Sequence, residues 1–248
     1  MIEAVGLTRR FGDTVAVDGL DFRVEPGEIV GFLGPNGAGK TTTMRMLTGT
    51  LPPSAGRALV AGLDVAEASL EVRRRIGFMP EHVPLYPDMT VRALLRYVAE
   101  LKGVPSRGRD DHVDGLLERV AALDMADRLV GHLSKGYRQR VGLAQALTGD
   151  PEVLILDEPA AGLDPHQIVE IRELIRGYRG RRTVLLSSHI LGEVEKLCDR
   201  VLILHRGRLT GSEETERLRA EGGLEAAFLR LTGGLPLSAP APSAEEDA

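Results

Sequence analysis

The residues best placed to do chemistry are Gly34-Pro35-Asn36-Gly37-Ala38-Gly39-Lys40-Thr41-Thr42, which fit the pattern G-x-x-x-x-G-K-[ST]. Glycines at this spacing let the backbone curl so that successive N–H groups face inward, toward phosphate oxygens. In that pattern Lys40 reaches the β- and γ-phosphates of a nucleotide, and Thr41 offers its hydroxyl to Mg²⁺. A glycine-rich turn with a chance lysine would share the composition but not the context. The apolar run Ile29-Val30-Gly31-Phe32-Leu33 precedes the loop as a predicted buried strand, and the residues through Met44, Met46 and Leu47 follow as a predicted helix. The helix N-terminus adds partial positive charge to the anion site.

Two other apolar runs also end in polar residues. Val153-Leu154-Ile155-Leu156 stops at Asp157-Glu158-Pro159, and Thr183-Val184-Leu185-Leu186 stops at Ser187-Ser188-His189. Short continuous apolar runs mark parallel strands buried on both faces. Ligands of such sheets sit outside the carboxyl ends of the strands, so the three strand ends are expected to meet at one site. There Asp157 is placed to hold Mg²⁺, directly or through water. Glu158 could polarise a water for attack on the γ-phosphate. His189 could contact that phosphate or that water; a lone histidine is usually structural, but a strand end beside a phosphate site favours function.

The elements that must position these groups form two α/β stretches around a helical one. Residues 1–30 read as antiparallel strands (Ala4-Val5, Val15–Val17, Leu20–Val24), with Pro26-Gly27 as the hairpin turn. Phe11 lies among Arg9, Arg10 and Gly12, where it could stack on a base or be an ordinary strand aromatic. Strand-like pieces follow at 57–61 and 76–79, and Glu81 opens a loop through Pro84 and Pro87. From Asp88 to about Gly149 the texture is helical. Val91, Leu94, Leu95, Val98 and Leu101 share one helical face, as do Val113, Leu116, Leu117 and Val120. Ser134 precedes a helix from Val141 to Leu147 and is placed to cap it. The α/β texture then returns, with a helix bearing Ile168, Ile171, Leu174 and Ile175. A hairpin turning at Arg206-Gly207 and a last helix near Leu224–Leu231 follow. Residues 235–248, proline- and alanine-rich and then acidic, are expected to be disordered.

The 248 residues suit one α/β domain with an inserted subdomain. A net charge of -5 argues against a general nucleic-acid surface. The single cysteine, Cys198, cannot form an internal disulfide, which points to the cytosol, and it reads as a small buried residue on a helix. No stretch approaches the roughly 20 apolar residues of a membrane span, and the N-terminus lacks the pattern of a signal peptide. Any membrane role is therefore expected to run through a partner.

Over roughly residues 1–212 the chain resembles the nucleotide-binding subunits of ATP-binding cassette (ABC) transporters. The resemblance rests on motifs in order: an aromatic at Phe11, Walker A at Gly34–Thr42, a Q-loop-like segment at Gly77–Glu81, and a signature-like Leu133–Gln139. Walker B at Leu154–Glu158, the D-loop Ala161-Gly162-Leu163-Asp164 and the switch His189 complete the set. It implies a P-loop core with an antiparallel β subdomain and a helical subdomain at about 88–149, then a C-terminal helical extension at 213–234. It also implies ATP and Mg²⁺ as cofactors, with Thr41, Asp157 and Glu81 toward the metal. Phe11, Gly34–Thr42, Glu81, Ser134, Lys135, Gly136 and Asp164 would contact nucleotide, and Glu158 and His189 would be catalytic.

Two segments depart from the family's common form. Glu81 stands where glutamine is usual; a carboxylate can ligate Mg²⁺ but repels the γ-phosphate and lacks the amide donor. The signature reads Ser134-Lys135-Gly136-Tyr137 in place of serine-glycine-glycine-glutamine, with Ser134 and the helix N-terminus still available for a phosphate. With Pro80–Pro87 and Leu224–Leu231, these departures resemble the exporter branch that includes gliding-motility and drug-efflux ATPases. The resemblance implies a head-to-tail dimer closing around two ATP molecules and pushing on integral membrane permease subunits at the cytoplasmic face of the membrane. A second copy of the chain or a different cassette subunit would serve equally as the dimer partner, and no nucleic acid is expected. The alternative is a soluble ABC-type ATPase regulating a non-transport process; its translation members usually carry two cassettes and its repair members coiled coils or metal sites, none of which this chain has. A small-molecule kinase would not need the signature-like segment or D-loop, and a GTPase would need the Asn-Lys-x-Asp segment that is missing here.

Overall fold

The computed structural model describes residues 1–233; the segment expected to be disordered, 235–248, and residue 234 lie outside the described residues. The chain runs β1 (Ile2–Phe11), β2 (Thr14–Val24), β3 (Ile29–Leu33), α1 (Lys40–Leu47), β4 (Ala55–Val60), β5 (Leu63–Asp64), α2 (Ser69–Arg75) and β6 (Ile76–Met79). Three helices follow, α3 (Val91–Leu101), α4 (Arg109–Arg119) and α5 (Lys135–Leu147). The chain then passes through β7 (Val153–Asp157), α6 (Pro165–Arg176), β8 (Thr183–Ser187), α7 (Leu191–Leu197), β9 (Arg200–His205), β10 (Arg208–Glu214), α8 (Thr215–Ala220) and α9 (Leu224–Leu231). One antiparallel sheet has the order β2-β1-β4-β5. The larger sheet has the order β10-β9-β3-β8-β7-β6 and is parallel except for β10, which pairs antiparallel with β9.

Burial on both faces explains why the central strands are continuous apolar runs. In β7, Leu154 and Leu156 face the helical side of the core, and Val153 and Ile155 face the antiparallel sheet and α1. In β3, Ile29 and Leu33 take the first side and Val30 and Phe32 the second. Each fully buried Leu, Ile or Phe contributes about 1.5–3 kcal/mol relative to exposure. These strands therefore form a rigid floor, and their carboxyl ends carry the polar residues.

The helical insert packs on this floor by the faces its periodicity marks. Val91, Leu94 and Leu95 of α3, Val113, Leu116 and Leu117 of α4, and Val141, Leu143 and Leu147 of α5 are all buried in one cluster. Thr90 caps α3 by accepting from the Ala93 N–H, and Ser134 caps α5 by accepting from the Tyr137 N–H. Cys198 is buried where α7 ends, and burial pushes its thiol far above the usual range. Among the described residues no helix is long and apolar enough to cross a membrane.

The N-terminal hairpin does not turn at Pro26-Gly27. It turns at Gly12-Asp13, between β1 and β2, and Pro26-Gly27 instead carries the chain from one sheet into the other. Irregular register between Ala4 and Arg10 breaks the strict alternation that would have marked β1 as one long strand. The segments read separately as Val15–Val17 and Leu20–Val24 are one strand, β2.

Candidate nucleotide site

The loop between β3 and α1 and the first turn of α1 bring Asn36 to Thr42 to a cavity of about 590 Å³, which Glu81, Asp157, Glu158 and His189 also line. Its curl depends on left-handed glycines, Gly37 at φ 77° and Gly39 at φ 101°. Gly39 has a second constraint, because a Cβ there would sit 2.6 Å from the Ala16 carbonyl oxygen. The loop is fastened from behind as well: the Gly207 N–H donates to Ala38 O at 3.1 Å.

Lys40 begins α1, and its half-buried amine donates to Gly34 O at 2.6 Å and Pro35 O at 3.2 Å. Burial pulls this amine below the ordinary lysine range, and the carboxylates of Glu158, Asp157 and Glu81 pull it back up. A phosphate entering the loop would offer the amine stronger, charged acceptors in place of two carbonyls.

Asp157, 1% exposed at the end of β7, has both oxygens engaged by hydroxyls. Thr41 Oγ1 donates to Oδ2 at 2.8 Å, and Ser187 Oγ donates to Oδ1 at 2.5 Å. Thr41 and Asp157 thus converge from a helix N-terminus and a strand end, and both supply oxygen donors of the kind a hard divalent cation takes. Glu158 sits at φ 52°, a left-handed conformation that a side-chain-bearing residue holds only where its surroundings enforce it. Its N–H donates to Ser187 Oγ at 3.0 Å, and its carboxylate lies 2.7 Å from His189 Nδ1. Among the described residues no group of three or more His, Cys, Asp or Glu is arranged to hold a metal ion.

Not every candidate lies in this cavity. Phe11 is 47% exposed at the end of β1, with the Arg9 guanidinium 4.6 Å from its ring centroid. Ser134, Lys135 and Gly136 stand at the N-terminus of α5, outside the cavity lining. The Lys135 side chain lies against Gly162, where an added Cβ would meet its Nζ at 2.6 Å. Asp164 is occupied as the cap of α6, accepting from the His166 and Gln167 N–H groups at 3.0 Å. Ala16 was not singled out from sequence, and Ala161 and Ser187 were named there only as parts of the D-loop-like segment and of a polar strand end. Ala16 and Ala161 line the cavity without reactive groups, so no residue-type signal could have found them. Ser187 bridges Asp157 and Glu158, and its position at a strand end was the available signal.

A second concavity, of about 730 Å³, lies between α3 and the α2–β6 edge of the larger sheet. Leu70, Tyr86, Tyr97 and Leu101 are exposed there, and Arg73, Arg74 and Lys102 add positive charge. Tyr86 and Tyr97 meet edge to face, with centroids 6.2 Å apart. The Lys102 amine donates to the carbonyls of Arg73 and Ile76, and burial pulls it down to about 8.

Residues 17–161 match the family model described as "ABC transporter". The chain is 40% identical over 230 residues to a Nod factor export ATP-binding protein I of Burkholderia pseudomallei (strain 1710b), covering 92% of this chain and 75% of that protein. It superposes with a TM-score of 0.86, at 29% identity, on the structure of an ATP-binding subunit of an ABC transporter, covering 93% of this chain and 99% of that one. It also matches cbiO1 of Clostridium perfringens, part of the ABC transporter complex cbiONQ, with a TM-score of 0.78 and 28% identity over 92% of this chain and 94% of that one. Sequence, fold and the convergence of loop and strand ends agree: the chain belongs to the ABC transporter family, as an ATP-binding and ATP-hydrolysing subunit.

Proposed function

We propose that this subunit powers export by closing on ATP as a head-to-tail dimer, at the cytoplasmic face of the membrane and against integral membrane permease subunits. The observation that carries the site assignment is the convergence of Lys40, Thr41, Asp157, Glu158, Glu81 and His189 on one cavity. Phosphates would lie in the Asn36–Thr42 loop, held by backbone N–H groups, Lys40 and the N-terminus of α1. Phe11 would stack on the base.

The cavity's ionisable lining sets one lysine amine and one imidazole, His189, against three carboxylates. A polyphosphate needs more positive charge than that, and Mg²⁺ would supply it, held by Thr41, Asp157 and Glu81 and by phosphate oxygens. Glu158 would take a proton from the attacking water. His189, at 2.7 Å, orients the Glu158 carboxylate in this structure and would turn toward the γ-phosphate when nucleotide is present. The Ser134-Lys135-Gly136 segment, lying outside the cavity of its own chain, would complete the phosphate site of the opposing cassette, with Asp164 near the dimer contact.

Export is favoured by the likeness to a Nod factor export subunit. The apolar, basic-rimmed concavity beside α3 supports docking of a permease segment. The test is a pull-down of tagged Glu158→Gln protein with ATP from detergent-solubilised membranes of its own cell. Co-purification of a polytopic membrane protein, released when ATP is removed, is the expected result. Recovery of ribosomes, nucleic acid or only soluble proteins would overturn the transport assignment and favour a soluble ATPase.

A further inference from the structure

Glu158 raises a question that its own neighbours on β7 and β8 do not answer. Its backbone is left-handed, a strained conformation for a residue with a side chain that persists only where other contacts over-determine it. Ser187 fixes its N–H. On the carbonyl side, the Ala161 N–H donates to Glu158 O at 3.0 Å within the same turn, and a second bond reaches that oxygen from a different part of the fold. Gln139 of α5, only 6% exposed, donates its side-chain amide to Glu158 O at 2.9 Å and to Pro159 O at 3.2 Å. Both hydrogens of one amide nitrogen are thus used on the peptide that follows the carboxylate-bearing residue and on the next one.

Gln139 lies in the helix that Ser134 caps, little more than one turn along it. The same helix is joined to the segment after β7 at further points: Lys135 rests against Gly162, and Gly136 approaches the Gln167 side chain, which itself closes the capping box with Asp164. A shift of α5 along or about its axis would therefore be felt first at the Glu158 and Pro159 carbonyls, through an amide with little freedom to follow.

We propose that Gln139 is a positioning residue for hydrolysis: with Ser187 and the Ala161 N–H it holds the Glu158 backbone in its left-handed conformation, and it alone of the three makes the reach of that carboxylate depend on the placement of α5. The inference rests on the reading of Glu158 as the general base. It adds that the helix presenting Ser134 to an opposing nucleotide also sets the base of its own chain. Phosphate engagement at one site would in this way bear on hydrolysis at the other.

The test uses the full-length chain and ATP. Gln139→Glu keeps the length of the side chain but replaces the donor by a carboxylate facing two carbonyl oxygens. Gln139→Asn keeps the amide but shortens its reach without burying charge. Both are expected to lower kcat by about 10–100-fold, a fraction of a general-base contribution, with ATP affinity within about threefold of the parent. In the Glu158→Gln background, adding Gln139→Asn should change the residual rate by less than about twofold, because there is no base left to misplace. A merely structural role would lower that residual rate by the same factor as in the parent. For Gln139→Glu, activity relative to the parent should rise as pH falls from about 8 to 6, because protonating the introduced carboxyl, whose pKa the buried site raises, restores a donor. Near-parental kcat in folded Gln139→Asn, with Glu158→Gln slow, overturns the positioning role and leaves the base assignment standing. Parental hydrolysis by Glu158→Gln would overturn the base assignment itself.

Discussion

At the scale of single residues, Lys40 is the most exposed to test, because the structure shows it bound to something other than nucleotide. Its amine closes the loop on itself through Gly34 O and Pro35 O. Charged acceptors hold such an amine more strongly than carbonyls do, by roughly the 1.5–3 kcal/mol of a hydrogen bond to a charged group. Lys40→Ala should therefore weaken ATP binding by about 10–100-fold, read by calorimetric titration, with little change in melting temperature. Unchanged affinity would remove Lys40 from the phosphate site. Residues like this were legible in the sequence because their types and spacing are chemically restrictive: a lysine after a glycine loop, and carboxylates and a histidine at the ends of apolar runs. The bridging role of Ser187, whose strand-end position was legible, and the part played by Ala16 were not. One acts through the direction of a hydroxyl, the other through a backbone carbonyl close to Gly39, and neither requirement is written in residue type. Asp164 reads as a nucleotide ligand by motif and is a helix cap by contact, and the Asp164-x-x-Gln167 spacing already carries the signature of that cap.

Between elements, the seam that matters most is where α5 crosses β6. Gly77 has no left-handed backbone to demand glycine. It is glycine because a Cβ there would lie 2.0 Å from the Ala146 carbonyl oxygen of α5. Gly77→Ala must push helix and strand apart, an overpacking cost of about 1–3 kcal/mol, and should lower the melting temperature by about 3–10 °C at this chain length. Gly115, inside α4, has open space where a methyl group would stand. Gly115→Ala should raise stability by up to about 1 kcal/mol through helix propensity alone. Equal melting temperatures for Gly77→Ala and the parent would mean that α5 does not lie on β6 as described. Periodicity made α3 and α4 visible from sequence, because each buries one full stripe. The helices α2, α7 and α8, of seven, seven and six residues, are too short to show a stripe and were not legible. The hairpin turn was misplaced for a related reason: a proline-glycine pair is a strong local signal, but sheet pairing, which is not local, put the turn at Gly12-Asp13.

For the whole molecule, the decisive fact is what one chain's nucleotide cavity leaves out. Ser134, Lys135 and Gly136 do not line it, although the N-terminus of α5 and its capping serine are suited to a phosphate. A second chain, turned head to tail, would bring that terminus over the first chain's loop. That association would have to overcome the repulsion of two chains of net charge -5, so on this reading bound ATP would contribute contacts that the two protein surfaces lack. In the Glu158→Gln background, where hydrolysis is expected to slow by about 10²–10⁴, ATP should drive a dimer visible by light scattering. Adding Ser134→Arg should abolish that dimer while leaving the ATP affinity of the monomer within about threefold. The cap lost with the serine costs about 1 kcal/mol, so a small drop in melting temperature is expected and does not by itself explain loss of association. Ser134→Ala separates the two effects: it loses the cap but adds no bulk or charge, and should weaken the dimer less than arginine does. An ATP-dependent dimer of normal strength in Ser134→Arg would rule out the opposing-chain role of this helix and require the phosphate site to be complete within one chain.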